Sequence, residues 1–195
     1  MSSANRCGWL DRRQDRWPPC NVALVVFLRG VNVGGYRTFR PATLARDLTH
    51  LGAVNIGAAG TFVIRAAIAR SLLRAEIARR LPFEAEIVIC ADREILKLVS
   101  GNYFAGHRPR RDIVRFVSVL SRLPRSAPST PLCIPSSADW LVKILAHERR
   151  FVIGLYRRQM KVIGYLGSLD RLYGTPVVTR NWNTLVAIAR VLERA

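Results

Sequence analysis

The apolar run Val22-Ala23-Leu24-Val25-Val26-Phe27-Leu28 stops at Arg29-Gly30-Val31-Asn32-Val33-Gly34-Gly35, and a helical pattern begins near Pro41. A continuous apolar run bounded by turn residues reads as a central strand. Strand, glycine loop and helix therefore form the opening unit. The rest of the chain can be laid out around it.

The first helix is expected from Pro41 to Leu51. Proline suits the first helical turn, where its missing N–H is not needed. Leu44, Leu48 and Leu51 make one apolar face, and Gly52 is a natural C-cap. Short strands follow at Val54–Gly57 and Thr61–Ala66, joined by the turn Ala58-Ala59-Gly60. A second helix is expected over Ala67–Leu81, with Ile68, Leu72, Leu73 and Ile77 apolar, and Pro82 ends it. Glu84–Cys90 is a fourth strand. The order βαββαβ predicts a ferredoxin-like unit: an antiparallel four-stranded sheet with two helices on one face.

A bridging helix from Asp92 to about Gly101 leads onward, with Asp92 as its N-cap. Strands are expected at Ile113–Leu120, Trp140–Ala146 and Phe151–Arg157, and a brief one at Pro176–Thr179. A short helix falls somewhere in Lys161–Tyr173. Residues 123–137 carry prolines at 124, 128, 131 and 135 and read as an irregular connection. The closing helix, Trp182–Glu193, places Leu185, Ile188, Ala189 and Leu192 on one side. The second half thus repeats the plan of the first, with the proline-rich connection where a helix would sit. The predicted class is α+β: two ferredoxin-like units in tandem, 21–90 and 91–195, plus a C-terminal helix. Residues 1–20 have charges throughout and no apolar periodicity, and read as a disordered lead-in or a start placed too far upstream.

Composition narrows the function classes. No apolar stretch approaches the roughly 18 residues of a membrane span, so the expected home is the cytoplasm. Cys7, Cys20, Cys90 and Cys133 fit no zinc spacing, and no histidines are paired at ligand spacing, so neither a metal nor a cofactor is expected. Formal net charge is +18, carried by 28 Arg and only 3 Lys. The planar fork of arginine suits phosphate and carboxylate groups. Such a field attracts nucleic acid, although arginines scattered along the chain are also what a GC-rich genome writes.

Two stretches have more polar chemistry than their local structure requires. The glycine loop can turn several N–H groups toward one anion. It is not a P-loop, because Tyr36 and Arg37 stand where Lys and Ser or Thr are required. Near the other end, Thr179-Arg180-Asn181-Trp182-Asn183-Thr184 opens the last helix. Asn181 or Thr179 could cap it. Arg180 could also hold an anion, Trp182 could stack on a flat ring, and Asn183 could read an edge.

At these stretches the chain resembles a family. "FLRGVNVGG" and "TRNWNT", with "VSGNYF" at Val99–Phe104 between them, are similar to motifs of the bacterial domain-of-unknown-function family numbered 1697. The resemblance runs from about Asn21 to the C-terminus. It implies a tandem ferredoxin-like fold and no established activity. The chain departs from the pattern at Tyr36, where the family usually has Lys, and at Ala58-Ala59-Gly60-Thr61, where two polar side chains are lost.

The functional expectation is a binding or regulatory module. A small anionic ligand would sit between the two units, held by Arg29, Asn32, Gly34, Gly35, Arg180, Asn181, Trp182 and Asn183. An RNA-recognition module is disfavoured, since the third strand has one aromatic, Phe62, and the first only Phe27. Non-specific binding of nucleic-acid phosphate is the alternative. An enzyme at the same cleft would need a proton-transfer group such as Asp170 to fold nearby.

Overall fold

The structure is a computed structural model, and it describes residues 22–31 and 39–194. The expected lead-in and the centre of the glycine loop, including Asn32, Gly34 and Gly35, lie outside the described residues.

The first half runs β1 (Leu24–Leu28), α1 (Pro41–Asp47), β2 (Ala53–Asn55), β3 (Thr61–Ile64), α2 (Arg70–Arg80) and β4 (Ile87–Ala91). Its sheet has the order β2-β3-β1-β4, with every neighbour antiparallel. α1 stops four residues earlier than the leucine spacing predicts. A 3-10 turn at Thr49–Leu51 finishes the segment, and Gly52 closes it in the left-handed conformation. That close satisfies a helix-end carbonyl at no Cβ cost.

The second half begins with α3 (Asp92–Val99), which follows β4 without a loop. Asp92 is the first helical residue and not its cap. Glu94 does that work, its Oε2 accepting the Ala91 N–H at 2.7 Å. Then come β5 (Ile113–Leu120), β6 (Leu132–Ile134), β7 (Val142–Glu148), β8 (Phe151–Arg157), α4 (Val162–Gly167), α5 (Leu169–Tyr173), β9 (Val177–Asn181) and α6 (Trp182–Glu193). The sheet order is β6-β7-β8-β5-β9, again antiparallel throughout. Without β6 this repeats the first sheet's order.

Three expectations need correction. The proline-rich connection is not wholly irregular, because Leu132–Ile134 adds β6 to the sheet edge, beside β7. An edge strand tolerates flanking prolines, since one side of it needs no ladder partner. The single helix expected in 161–173 is two short ones, α4 and α5.

The third correction concerns the layers. Helices do not lie on one face only. Leu24, Val26 and Leu28 of β1 join Leu44, Leu48, Leu73 and Ile77 in a core under α1 and α2. Val25 and Phe27, on the other face, join Val117, Val119, Ile153 and Val178 of the second sheet, together with Ile95 and Leu98 of α3 and Leu185 and Ile188 of α6. The second sheet's far face, with Phe116, Val142 and Val152, is covered by Val162, Leu169 and Tyr173. A strand that is apolar on both faces gains about 1.5–3 kcal/mol for each large side chain it buries, so both faces of β1 must be covered. The two sheets therefore share one core, and the helices that follow β4 and β9 lie within it.

One side of this junction is held by charge. Arg150 Nη2 donates to Ile89 O at 2.5 Å and Nε lies 3.3 Å from Glu94 Oε1, while Lys97 Nζ meets Glu148 at 2.8 Å. The other side holds the predicted motifs. Among the described residues no helix is long and apolar enough to cross a membrane.

Candidate functional site

β9 is the edge strand opposite β6 in the second sheet, and its register pairs Arg180 with Val117 and Asn181 with Phe116. Successive side chains point to opposite faces. Arg180 thus shares the face of the common core, while Asn181 shares the far face. This one-residue alternation divides the closing motif between two places.

Arg180 reaches into the first half of the chain. Its Nη2 donates to Leu28 O at 2.7 Å and to Ala59 O at 2.5 Å, and Nε donates to the fully buried Thr61 hydroxyl at 2.8 Å. Nη1 donates back to Thr179 O at 2.9 Å, and the guanidinium lies 6.0 Å from the Phe27 ring centroid. All these acceptors are neutral oxygens. Burial lowers the guanidinium pKa to about 10, so it stays charged at neutral pH. Among the described residues its charge has no carboxylate partner.

The hairpin that Arg180 grips is positioned by Gly60. Its φ is +67°, and Leu28 N donates to its carbonyl at 2.8 Å. A Cβ there would lie 2.7 Å from Val31 Cγ2 and 2.9 Å from Leu28 Cβ. Val31, only 3% exposed, is the last described residue before the centre of the glycine loop.

Arg29 leaves the same end of β1 and forms an ion pair with Asp170 of α5. The second Asp170 oxygen accepts the Val177 N–H at 3.0 Å. Beside them Ser121 Oγ donates to Glu86 Oε1 at 2.9 Å, and Arg29 N donates to Glu86 O at 3.0 Å. The ends of β1 and β3 and both ends of β9 thus meet along one polar seam. Asp170 is there, but both of its oxygens are engaged.

The remaining motif residues lie apart from it. Asn181 does not cap α6 with its side chain; its Oδ1 accepts the Tyr156 hydroxyl at 3.1 Å. Asn181 and Asn183 are exposed and line a cavity of about 310 Å³ with Arg110, Arg115 and Arg158. Trp182 is half-buried and packs edge-on against Phe104, with centroids 5.0 Å apart, and against Tyr103 at 6.2 Å. Phe104 in turn carries the Arg115 guanidinium 4.8 Å from its centroid. The three motifs are therefore contiguous in space: Leu28-Arg29 with Arg180, and Trp182 with Tyr103 and Phe104.

Several participants were not singled out from the sequence. The carbonyls of Leu28 and Ala59 bear no residue-type signal, because any residue supplies a carbonyl, and the Thr61 hydroxyl meets Arg180 only through the packing of the two halves. Tyr103 and Phe104 belong to a recognised motif, but its partner is set only by packing. Among the described residues no group of His, Cys, Asp and Glu is arranged to hold a metal.

The sequence pattern of the family described as "Protein of unknown function (DUF1697)" matches residues 22–137. The conserved bacterial protein SP0830 from Streptococcus pneumoniae has a similar structure, with a TM-score of 0.56 over 88% of this chain and 98% of its own, at 14% identity. At that identity the likeness shows the fold alone. No curated protein matches the chain.

Proposed function

The chain belongs to the DUF1697 family of proteins of unknown function, and from that premise we propose that it is a bacterial cytoplasmic binding or regulatory module. Two ferredoxin-like units in tandem hold a small anionic ligand, a nucleotide or a phosphorylated or carboxylated metabolite, along their seam. The observation that carries the reading is the setting of Arg180: a desolvated cation with only neutral oxygens around it, beside the mouth of a glycine loop. Fixed positive charge in a partly dry site attracts an anion more strongly than the same charge in water. Arg29 adds a second guanidinium, part exposed and balanced by Asp170. Asn32, Gly34 and Gly35 would supply loop N–H groups and an amide. Trp182 props the junction, and Asn181 and Asn183 edge the neighbouring basic cavity.

Thermal-shift measurements with pyrophosphate, adenosine monophosphate and citrate test this. A ligand present at about 100 times its Kd stabilises the fold by about 2.7 kcal/mol. The expected outcome is a stabilisation in the parent that disappears in Arg29→Gln and weakens in Arg180→Lys. Equal stabilisation of all three proteins would put the ligand elsewhere.

A second reading has its own observation. Arg108, Arg110 and Arg115 line a cavity of about 380 Å³ with Trp140, whose ring carries the Arg157 guanidinium 5.0 Å from its centroid. Arginines beside an aromatic are the elements of single-strand binding. Labelled oligothymidine should then bind at low salt, with affinity falling steeply as salt rises. Absence of binding at low ionic strength removes this reading.

A further inference from the structure

The layer that covers the second sheet's far face is one helix thick, so it has an inner and an outer surface. Val162, Leu169 and Tyr173 turn inward from α4 and α5, with Tyr165 and Leu166 packed beside them. Ile163, Gly164, Gly167 and Leu172 are exposed on the other surface. A Cβ added at Gly164 or Gly167 would meet nothing within 4 Å, which marks that surface as open. Among the described residues five large apolar side chains are exposed, and four of them belong to this layer and its border. Met160 and Ile163, 83% and 59% exposed, stand at the entrance to α4. Leu172 stands in α5, with Leu123 lining the same cavity. Exposed apolar groups gathered on one side of a molecule mark an interaction surface.

The charge around them decides the partner. Arg122, Arg125, Arg158, Lys161 and Arg171 are exposed, and none makes a side-chain hydrogen bond or ion pair among the described residues. Asp170 is the one acid in residues 157–175, and it is engaged by Arg29 and the Val177 N–H. Residues 121–126 contain no acid. The helix layer on the first sheet is different. There the α2 arginines are engaged: Arg70 with Glu94 at 3.2 Å, Arg79 and Arg80 with Glu76, and Arg74 with Ile87 O at 2.5 Å. The fold pairs its arginines on α2 and leaves the cations around α4 and α5 free.

We propose that the outer surface of α4 and α5 docks on an anionic lipid bilayer. The five cations meet headgroup phosphates, and Met160 and Ile163 enter the boundary of the acyl chains. Apolar tips among cations are the makeup of an interfacial segment. A protein partner would call for a dry apolar centre with charges kept to the rim. Here the cations stand between and beside the apolar residues: Lys161 separates Met160 from Ile163, Arg171 adjoins Leu172, and Arg122 adjoins Leu123. The contact is peripheral. It does not depend on the seam reading, because none of these residues belongs to the motifs.

Co-sedimentation of the full-length parent with vesicles tests this, with equimolar phosphatidylcholine and phosphatidylglycerol set against phosphatidylcholine alone. The parent should sediment with the mixed vesicles and not with the neutral ones. Met160→Ser/Ile163→Ser, two exposed changes that keep every charge, should melt as the parent does and bind about tenfold more weakly. Each cation beside an anionic surface is worth about fivefold in affinity, so Arg158→Gln/Lys161→Gln should lose about 25-fold. Arg46→Gln/Arg79→Gln removes the same charge from α1 and α2, with both sheets between it and the lipid. Stacked sheets lie about 10 Å apart, beyond the Debye length of about 8 Å, so this variant should bind as the parent does. Absence of binding to the mixed vesicles overturns the proposal. So does parent-like binding in Met160→Ser/Ile163→Ser, or equal losses in the two charge variants, which would mean adsorption by the net charge of the whole molecule. A parent dimer that Met160→Ser/Ile163→Ser dissolves in analytical ultracentrifugation would assign the surface to a second copy and likewise overturn it.

Discussion

Arg180 Nη2 donates to the carbonyl oxygen of Leu28 at 2.7 Å, tying the last strand of the chain to the end of the first across 152 residues. The same nitrogen holds Ala59 O and the neighbouring Nε holds Thr61 Oγ1, so one side chain fixes the strand end and the hairpin beside it. Few side chains other than arginine could do this. The planar fork presents five donors in fixed directions, whereas lysine offers a point charge on a flexible stem.

Replacing Arg180 by Met should therefore leave two carbonyls and a buried hydroxyl without donors. We expect a loss of about 2–4 kcal/mol in urea unfolding. Arg180→Lys should recover less than half of that. Parent-like stability in Arg180→Lys would show that charge alone, and not the fork, holds the seam.

Gly60 and Gly57 sit in the same hairpin and both have positive φ, +67° and +72°. Their surroundings differ. A Cβ at Gly57 meets nothing within 4 Å, while one at Gly60 collides with Val31 and Leu28. Gly57→Ala should cost only the left-handed backbone, about 1–2 kcal/mol. Gly60→Ala adds overpacking and should cost about 2–5 kcal/mol. Equal losses in thermal melts would contradict the close approach of the hairpin to the start of the glycine loop.

His147 Nε2 lies 2.7 Å from the Tyr173 hydroxyl, and burial lowers the imidazole pKa below its ordinary value. The folded chain thus resists a proton that the unfolded chain accepts at about pH 6.5. The contribution is complete above that pH and is lost as pH falls through it toward the lower folded value. Between about pH 7.5 and 5 the melting temperature of the parent should fall more steeply than that of His147→Gln. Parallel slopes would remove His147 from the account.

Cys90 is fully buried, and burial pushes its thiol up to about 12, outweighing the opposing pull of the Arg150 guanidinium, whose Nη2 lies 2.8 Å from Sγ. A protonated, inaccessible thiol is inert. Iodoacetamide should alkylate the half-buried Cys133 before Cys90, and Cys90 only after denaturation, as read by peptide mass. Native labelling of Cys90 would mean that the junction opens readily.

Most of the element order, short of β6 and the division of α4 from α5, was legible in the sequence, as were the central place of Val22–Leu28 and the termination at Gly52, because apolar periodicity and glycine chemistry act over a few residues. So were the stretches that form the seam, since Arg29 and Arg180 carry charge that their local turns do not need. How the motifs divide was decided by tertiary structure. The pleat of β9 turns Arg180 toward the shared core and Asn181 away from it, and a one-residue alternation acquires meaning only when its two faces have been covered. The shared core was likewise set by packing. Apolar periodicity shows that Val25 and Phe27 must be buried, but burial is non-directional, and the second sheet satisfied it where a helix layer could have.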